Sequence, residues 1–227
     1  MIGGVAVAEL FAANMEEALQ ADSFEKLMAC LPAEEQKRIK KYRRKDDRKR
    51  ALLGAVLIRS VLRDRTGLKD GRLILSRDAC GKPFLAGGEG IHFNLSHSGK
   101  WVVCIIDSFQ TGVDVQEMRP IDIQLGKRFF SASEYEALTA LPKERQLDGF
   151  YELWTLKESY MKAVGKGLGI PSASFSIAWE QGEIKLKTRR REKFFFRQYQ
   201  LEKGYKLAAC SKGNPPPRFV LANHLIK

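Results

Sequence analysis

The chain has 227 residues, 44% of them hydrophobic and 29% charged, which is the composition of a globular protein that buries a core and not of a disordered chain. Its net charge of +12 at pH 7 predicts an anionic partner: nucleic acid, an acidic membrane, a phosphorylated cofactor and an acidic protein all have the required sign. No apolar run has the length of a membrane helix, and residues 1–9 lack the cationic start of a signal peptide, so we expect a cytoplasmic protein with no membrane partner.

The first half of the sequence predicts helices followed by short strands. Residues 1–13 have the pattern of a strand, residues 14–30 are helical, and a second helix begins at Pro32. The segment 37–50 carries ten Lys and Arg residues and leads into an apolar helix over residues 51–62. Strands separated by turn residues are then predicted at 72–76, 83–85, 91–95, 101–107 and 111–116.

The second half repeats this order. Helices are predicted at 121–130, 133–141 and 143–164, and strands at 175–179, 183–187, 194–199, 205–209 and 219–221. Two successive blocks of helices and strands predict an α+β fold in two similar lobes, each with helices packed on a small antiparallel sheet. We place the lobes at residues 1–109 and 110–227 and expect the active site between them.

Two acids and a lysine suggest metal-diphosphate chemistry. Trp154, Glu158 and Lys162 recur every four residues, so on a helix they share one face. Asp114 lies in a separate apolar, β-branched run that begins at Gly112. Two carboxylates from different elements suit the oxygen coordination of Mg²⁺, while a lysine one turn away can supply a proton or a charge to a phosphate. Taken singly, each has an ordinary structural explanation: Asp114 as a helix cap or surface ion pair, Glu158 as an exposed partner of Lys162.

Two further segments carry polar groups that suit a phosphate. The turn after the strand at 91–95 contains Ser96 and His97, which offer a hydroxyl and an imidazole. A hydrolase is disfavoured, because the two residues are adjacent in sequence and no Gly-x-Ser-x-Gly elbow is present. Lys82, in the turn Gly81-Lys82-Pro83, lacks the glycine spacing of a P-loop and by itself predicts only a hairpin.

Together these segments resemble a known family. Gly81-Lys82-Pro83, Phe93-Asn94-Leu95-Ser96-His97-Ser98-Gly99, Gly112-Val113-Asp114-Val115 and Trp154-x-x-Lys157-Glu158-Ser159 follow the order and rough spacing of the Sfp-type 4′-phosphopantetheinyl transferases. The resemblance covers nearly the whole chain. It implies transfer of phosphopantetheine from coenzyme A to a serine of an acyl or peptidyl carrier protein, with release of adenosine 3′,5′-bisphosphate. It also implies a pseudo-twofold pair of lobes with coenzyme A between them.

The resemblance also assigns residue roles. Asp114 and Glu158 would hold Mg²⁺ against the diphosphate, Glu158 or a water that it orients would take the proton from the carrier serine, and Lys162 would assist the leaving group. The residues that the resemblance places on coenzyme A are Lys82, Pro83, Ser96, His97 and Lys162, with Arg38, Arg44 and Arg50 at its 3′-phosphate.

One position departs from the family pattern. Many Sfp-type enzymes have a second carboxylate two residues after the first aspartate, and here Gln116 stands in that position. Because an amide oxygen is a neutral and weaker ligand for Mg²⁺, we expect two protein carboxylates on the metal, with Gln116 acting through water or a hydrogen bond.

Two rival functions stay open at this point. The basic segment 37–50 suits a nucleic-acid-binding protein, although no nucleic-acid-reading motif accompanies it. Gln116 leaves room for a catalytically silent relative that binds coenzyme A. We expect the transferase, acting as a monomer on an acidic carrier protein and without nucleic acid, since in that function the basic segment attracts both the cofactor phosphate and the carrier.

Overall fold

The computed structural model of the protein describes residues 8–19, 23–166 and 169–226. The predicted strand over residues 1–13 and the predicted helix over residues 14–30 therefore lie partly outside the described residues. The helices are α1 (Met15–Ala18), α2 (Ser23–Ala29), α3 (Ala33–Lys40), α4 (Lys45–Thr66), α5 (Gly126–Phe129), α6 (Ala132–Thr139) and α7 (Lys143–Val164). The strands are β1 (Glu9–Asn14), β2 (Leu75–Arg77), β3 (Pro83–Leu85), β4 (His92–Ser98), β5 (Trp101–Asp107), β6 (Thr111–Glu117), β7 (Ser176–Glu180), β8 (Glu183–Lys187), β9 (Phe195–Tyr199), β10 (Tyr205–Ser211) and β11 (Phe219–Leu221).

The first lobe is built on a four-stranded sheet in the order β11-β1-β5-β4. Strand β5 is buried along its whole length, because alternate side chains face opposite layers. Val102, Cys104 and Ile106 join the core formed with α4, and Val103 and Ile105 join a second layer toward the other lobe. The basic segment 37–50 is divided between the end of α3 and the start of α4, whose apolar residues from Leu52 onward are buried.

The second lobe has a three-stranded antiparallel sheet in the order β6-β10-β9 and a separate hairpin of β7 and β8. Helix α7 starts after Pro142 and ends at Gly165, whose φ of 74° lies in the left-handed region that a glycine adopts without strain. The helix lies across β6 and β10. Its buried residues, including Phe150, Leu156 and Tyr160, form the core of this lobe.

Strands β4 and β6 join the lobes through side chains. Asn94 and Ser96 on β4 accept hydrogen bonds from the backbone N–H groups of Val113 and Val115 at 3.0 and 3.3 Å, and Ser98 accepts one from Glu117 at 3.0 Å. Alternate residues of a strand point the same way, so three polar side chains in a row face β6. They satisfy buried backbone donors of an edge strand that would otherwise lack partners.

The predicted α+β fold with two lobes of helices on small sheets is confirmed. One strand pair differs from the expected antiparallel arrangement, since β11 runs parallel to β1, with Leu10 opposite Phe219. The division of the chain at residue 109 stays a prediction; β11 comes from the second part of the sequence and completes the first sheet. Among the described residues, no helix combines the length and the apolar composition needed to cross a bilayer.

Candidate active site

The site lies where α7 packs on β6, and a glycine makes the close approach possible. Gly112 and Asp114 are two residues apart on β6 and therefore face the same side, toward α7. A Cβ at Gly112 would lie 2.1 Å from the carbonyl oxygen of Ser159 and 2.4 Å from the backbone nitrogen of Ala163. Only a residue without a side chain leaves room for the helix there, and the helix in turn brings Lys162 onto Asp114.

Asp114 is the centre of a polar cluster. It is 1% exposed, and its Oδ1 accepts hydrogen bonds from Nζ of Lys162 at 2.6 Å and from Oγ of Ser96 at 2.9 Å. Its Oδ2 accepts one from Nε2 of Gln116 at 3.0 Å. A buried carboxylate needs such donors and an opposite charge, because burial otherwise penalises the ionised form. Four of the predicted site residues are therefore in direct contact: Asp114, Lys162, Ser96 and Gln116.

Glu158 lies one helical turn before Lys162 on α7 and is half-buried. Burial raises the pKa of its carboxyl group, the negative charge of Asp114 raises it further, and the ammonium of Lys162 opposes them. A carboxyl group with a raised pKa exchanges protons closer to neutral pH, which suits a general base. Asp114 and Glu158 therefore influence each other electrostatically, and the metal ion that they are predicted to share stays a prediction.

A cavity of about 300 Å³ opens beside Glu158. One wall is α7, with Glu158, Met161 and Lys162, and the opposite wall is the turn that connects β2 to β3, with Lys82 and Pro83. The cavity lining includes three residues to which the sequence analysis assigned no role: Cys80, Asn94 and Met161. Asn94 was within reach of that reasoning, because it belongs to the motif around Ser96; nothing in the local pattern singles out Met161.

Lys82 crosses from the first lobe to the end of α7. Its Nζ donates to the carbonyl oxygens of Lys162 at 2.6 Å, Ala163 at 3.3 Å and Thr111 at 3.2 Å. A cation at the C-terminus of a helix donates hydrogen bonds to carbonyl groups that have no partner inside the helix. It also interacts favourably with the negative end of the helix dipole. Desolvation lowers the pKa of Lys82 to about 8. Contact of this lysine with a cofactor stays a prediction; its ammonium already ties the two lobes together.

Ser96 and His97 lie within β4 (His92–Ser98), so the prediction of a turn after residue 95 is wrong. The two side chains have different surroundings. Ser96 is buried, and its hydroxyl donates to Asp114 while accepting from Nζ of Lys162 at 2.9 Å and from the N–H of Val115. His97 is exposed. Desolvation lowers the pKa of His97, and the positive charges of Arg50 and Lys162 lower it further. A phosphate contact stays a prediction for both residues, and the positive charges that act on the exposed imidazole are of the sign that stabilises an anion.

A second cavity, of about 290 Å³, lies between α3, α4 and β4. Arg38, Arg50, His97 and Pro83 line it, so four residues predicted to contact the cofactor share one space. Arg50 is fixed there by hydrogen bonds to the carbonyl oxygen of Gly99 at 2.9 Å and to Asp47 at 2.5 Å. Arg44 is exposed at the start of α4 and is not among the lining residues of this cavity.

Lys157, beside Glu158 in the motif, has a structural position. Its Nζ donates to both carboxylate oxygens of Glu134, at 2.9 and 2.7 Å, and to the carbonyl oxygen of Phe175 at 2.8 Å. Both side chains are 2% exposed. Glu134 also accepts from the N–H of Ile177 at 2.7 Å, so the pair ties α6, α7 and β7 into one unit.

The carboxylate and amide oxygens at and beside Asp114 are of the kind that Mg²⁺ takes as ligands. Among the residues that the structure describes, no three His, Cys, Asp or Glu side chains gather into a metal site. The candidate set is therefore two carboxylates, Asp114 and Glu158, with the amide of Gln116 within hydrogen-bonding distance of Asp114. Oxygen ligands of this type, supplemented by water and phosphate oxygens, fit the incomplete protein shell that Mg²⁺ commonly has. The ammonium of Lys162 now neutralises Asp114 and would compete with a cation there.

Comparison with known proteins gives a consistent result. A family model described as the 4′-phosphopantetheinyl transferase superfamily matches residues 110–210, and one described as 4′-phosphopantetheinyl transferase, N-terminal, matches residues 19–108. The chain is 36% identical over 205 residues to the 4′-phosphopantetheinyl transferase Sfp of Bacillus subtilis, an alignment that covers 89% of this chain and 92% of that protein.

The chain is also similar to a second transferase and, more weakly, to a solved structure. The chain is 36% identical over 189 residues to the 4′-phosphopantetheinyl transferase gsp of Aneurinibacillus migulanus, covering 83% of this chain and 79% of that protein. A crystal structure of a holo-(acyl-carrier-protein) synthase from Bacillus anthracis in complex with CoA (3′,5′-ADP) covers 45% of this chain and 94% of its own, with 22% identity and a TM-score of 0.41. The sequence matches, and not this structural alignment, establish the family.

Proposed function

This chain belongs to the 4′-phosphopantetheinyl transferase family, and we propose that it transfers the 4′-phosphopantetheine group of coenzyme A to a serine hydroxyl of a carrier protein, releasing adenosine 3′,5′-bisphosphate. The resemblance drawn from the four sequence motifs is confirmed by the identity over 205 residues. The observation that carries the proposal is the ion pair between Asp114 and Lys162, together with the cavity between the two lobes that Lys162 and Glu158 line.

We assign the proton transfer to Glu158. Its raised pKa and its position on the cavity wall suit a base that takes the proton from the carrier serine, directly or through a water molecule. Lys162 faces both Asp114 and the cavity and is 27% exposed. It can supply positive charge or a proton to the phosphate oxygen that leaves with the adenosine bisphosphate.

We propose that Asp114 and Glu158 hold Mg²⁺, with Gln116 acting through water or a hydrogen bond. A divalent cation in this position supplies charge neutralisation for a diphosphate group. The chain's own contribution is to hold the two carboxylates in a desolvated place: Ser96 and Gln116 orient Asp114, and Gly112 allows α7 to bring Glu158 close. We place the 3′-phosphate and the nucleotide in the second cavity, against Arg38 and Arg50.

We further propose that the protein acts as a monomer in the cytoplasm and that nucleic acid is not its ligand. The residues proposed for catalysis come from one chain, which favours a monomer. The four cysteines are free thiols, as in a reducing compartment. Arg50, in the basic segment, lines the second cavity. There its positive charge would bind a phosphate of coenzyme A, so the basic segment has a use that does not require a nucleic acid.

Mass spectrometry of an apo carrier protein tests the proposal. After incubation with the chain, Mg²⁺ and coenzyme A, we expect the mass of one phosphopantetheine group on the carrier serine, and none when that serine is replaced by alanine. Binding of coenzyme A without any mass gain would identify a silent relative. Retention of DNA or RNA on filters at both low and raised salt, without carrier labelling, would favour the nucleic-acid-binding protein.

A further inference from the structure

Asn94 has half of its hydrogen-bonding capacity unused beside the active-site cavity. It lies on β4 and is 6% exposed. Its Oδ1 accepts the N–H of Val113 at 3.0 Å, and since a backbone N–H can only donate, this contact fixes which end of the amide is the oxygen. Nδ2 therefore turns away from that N–H. It has no hydrogen-bond partner among the described residues, it is not sealed from the surroundings, and Asn94 lines the cavity that also borders Glu158.

Other donors around this cavity already have partners inside the protein. The three donors of the Lys82 ammonium meet three backbone carbonyl oxygens. In the turn before it, the backbone N–H groups of Cys80, Gly81 and Lys82 all meet Asp78, each at 2.9 Å. Lys162 directs its ammonium to the buried carboxylate of the active site. The amide of the asparagine is thus the neutral side-chain N–H donor that the lining offers to a ligand.

Much of the remaining lining is apolar. Pro83 and Met161 supply methylene and thioether surface from opposite walls, and Gly165 adds no side chain. A phosphate in this part of the cavity would need positive charge, because a charged group that leaves water without a partner is strongly disfavoured. A neutral group that accepts one hydrogen bond and is flanked by methylene groups matches the lining, which combines apolar surface with a single placed donor.

We propose that Nδ2 of Asn94 donates a hydrogen bond to an amide carbonyl oxygen of the pantetheine arm of coenzyme A, and that this contact holds the arm in the cavity beside Glu158. The inference rests on the proposed function, which places the nucleotide in the second cavity and the diphosphate at Asp114. Pro83 lines both cavities, so an arm that leaves the diphosphate can continue from one space into the other. Pantetheine has two amide groups joined by methylene groups, and this alternation suits a wall with one donor and apolar neighbours.

The same side chain would connect the arm to the strand that carries Asp114. Val113 precedes Asp114 on β6, and Oδ1 of Asn94 holds the Val113 N–H while Nδ2 would meet the arm. Ser96, two residues further along β4, donates a hydrogen bond to Asp114 itself at 2.9 Å. Because the amide group of Asn94 is planar and makes both contacts, the arm is positioned relative to β6. The diphosphate at the end of the arm is thereby held near the carboxylate of Asp114.

Calorimetric titration of the full chain with coenzyme A and with two analogues tests the proposal. In each analogue one amide of the arm is replaced by an alkene, which keeps the planar shape but has no carbonyl oxygen. We expect one of the two analogues to bind about three- to tenfold more weakly than coenzyme A, which is the effect of losing one hydrogen bond. Equal affinity of the parent chain for all three ligands would overturn the inference without any mutation.

Two matched variants assign the lost hydrogen bond to Asn94. Asn94→Asp keeps an oxygen for the Val113 N–H but, when ionised, has no donor for a ligand. Its preference for coenzyme A over the weaker analogue should fall below about twofold, and the added charge acts equally on all three ligands because they carry the same phosphates. Ser98→Ala is the control. Ser98 accepts the N–H of Glu117 at 3.0 Å in the same row of β4 but does not line the cavity, so this variant should keep the preference of the parent chain.

The outcomes separate this inference from the proposed function. A preference that persists in Asn94→Asp, or that disappears in Ser98→Ala as well, would overturn the assignment to Asn94. A parent chain that binds coenzyme A without discriminating between the ligands contradicts only the contact with the arm. A parent chain that binds no coenzyme A contradicts the proposed function together with this inference.

Discussion

Nζ of Lys162, from α7, lies 2.6 Å from Oδ1 of Asp114, from β6, and this contact sets the register between the helix and the strand on which the active site depends. Since Asp114 is 1% exposed, its charge is balanced by Lys162 and by hydrogen bonds from Ser96 and Gln116, not by bulk water. The same aspartate therefore has a structural role and a proposed catalytic one, and mutations must be designed to separate the two.

We expect Glu158→Gln to lower carrier labelling by about a hundredfold or more while leaving thermal unfolding nearly unchanged, because it removes the half-buried carboxylate proposed as the general base without changing the shape of the side chain. Asp114→Ala should abolish labelling and also lower the free energy of unfolding by about 2–4 kcal/mol, because it leaves the ammonium of Lys162 without its carboxylate. Carrier labelling and urea denaturation measure the two effects. Normal labelling by both variants would refute the assigned roles.

Gln116→Glu should keep carrier labelling and strengthen the dependence on Mg²⁺. A carboxylate at this position would lie beside Oδ2 of Asp114, where Nε2 of Gln116 now donates a hydrogen bond, so repulsion should destabilise the metal-free protein by about 1 kcal/mol. Added Mg²⁺ should then raise the unfolding temperature of the variant more than that of the parent chain. If the substitution abolished turnover, the assignment of two protein carboxylates to the metal would be wrong.

Lys82→Met should destabilise the protein at neutral pH by about 1–2 kcal/mol, because three carbonyl groups lose their shared donor. The difference should depend on pH. Burial lowers the pKa of Lys82 to about 8 from 10.5, so between these values the unfolded chain binds the proton more tightly than the folded chain. The stability of the parent chain relative to Lys82→Met should therefore rise as the pH increases through that window.

Urea denaturation at pH ~7.5 and pH ~9.5 checks the prediction for Lys82. Lys82→Arg is the control, since a guanidinium group stays charged throughout and can still donate to the carbonyl groups. A parent-minus-Met difference that stays flat across the window would show that the Lys82 ammonium is not desolvated.

Gly112→Ala should separate α7 from β6. The added methyl group would lie 2.1 Å from the Ser159 carbonyl oxygen, so the backbone must shift, and we expect a loss of about 3 kcal/mol or more in the free energy of unfolding together with a loss of carrier labelling. Gly71→Ala, where the methyl group would meet no atom within 4 Å, is the matched control and should stay within about 0.5 kcal/mol of the parent chain. Equal effects at both positions would contradict the close packing at Gly112.

Local pattern predicted the elements of the fold well. The bounds of α7, β3, β5, β8 and β11 match the predicted ranges, because Pro142 and Gly165 punctuate the helix and turn residues separate the strands. It could not predict the parallel pairing of β1 with β11, because strand pairing between distant segments leaves no trace in the periodicity of either one.

The candidate site was predicted only in part, because local spacing reveals neighbours on one helix but not contacts between distant segments. The four-residue spacing placed Glu158 and Lys162 on one face of a helix, and the family motifs supplied Asp114. The contacts of Lys82 were not foreseen, because its partners are backbone carbonyl oxygens, which every residue type carries. Ser96 was predicted to contact a phosphate, and its hydrogen bond to the buried Asp114 was not foreseen, because that contact joins two strands distant in sequence.

The parallel pairing of β1 with β11 has a consequence for biosynthesis. When a ribosome has synthesised residues 9–211, every strand that the structure describes except β11 has been made, yet one edge of β1 still has no neighbour. The first hydrophobic core also awaits Ala222 and Ile226, which are buried in it. The lobe that is translated first is thus the one that is completed last. A protease that cuts between β10 and β11 would therefore destabilise the amino-terminal lobe.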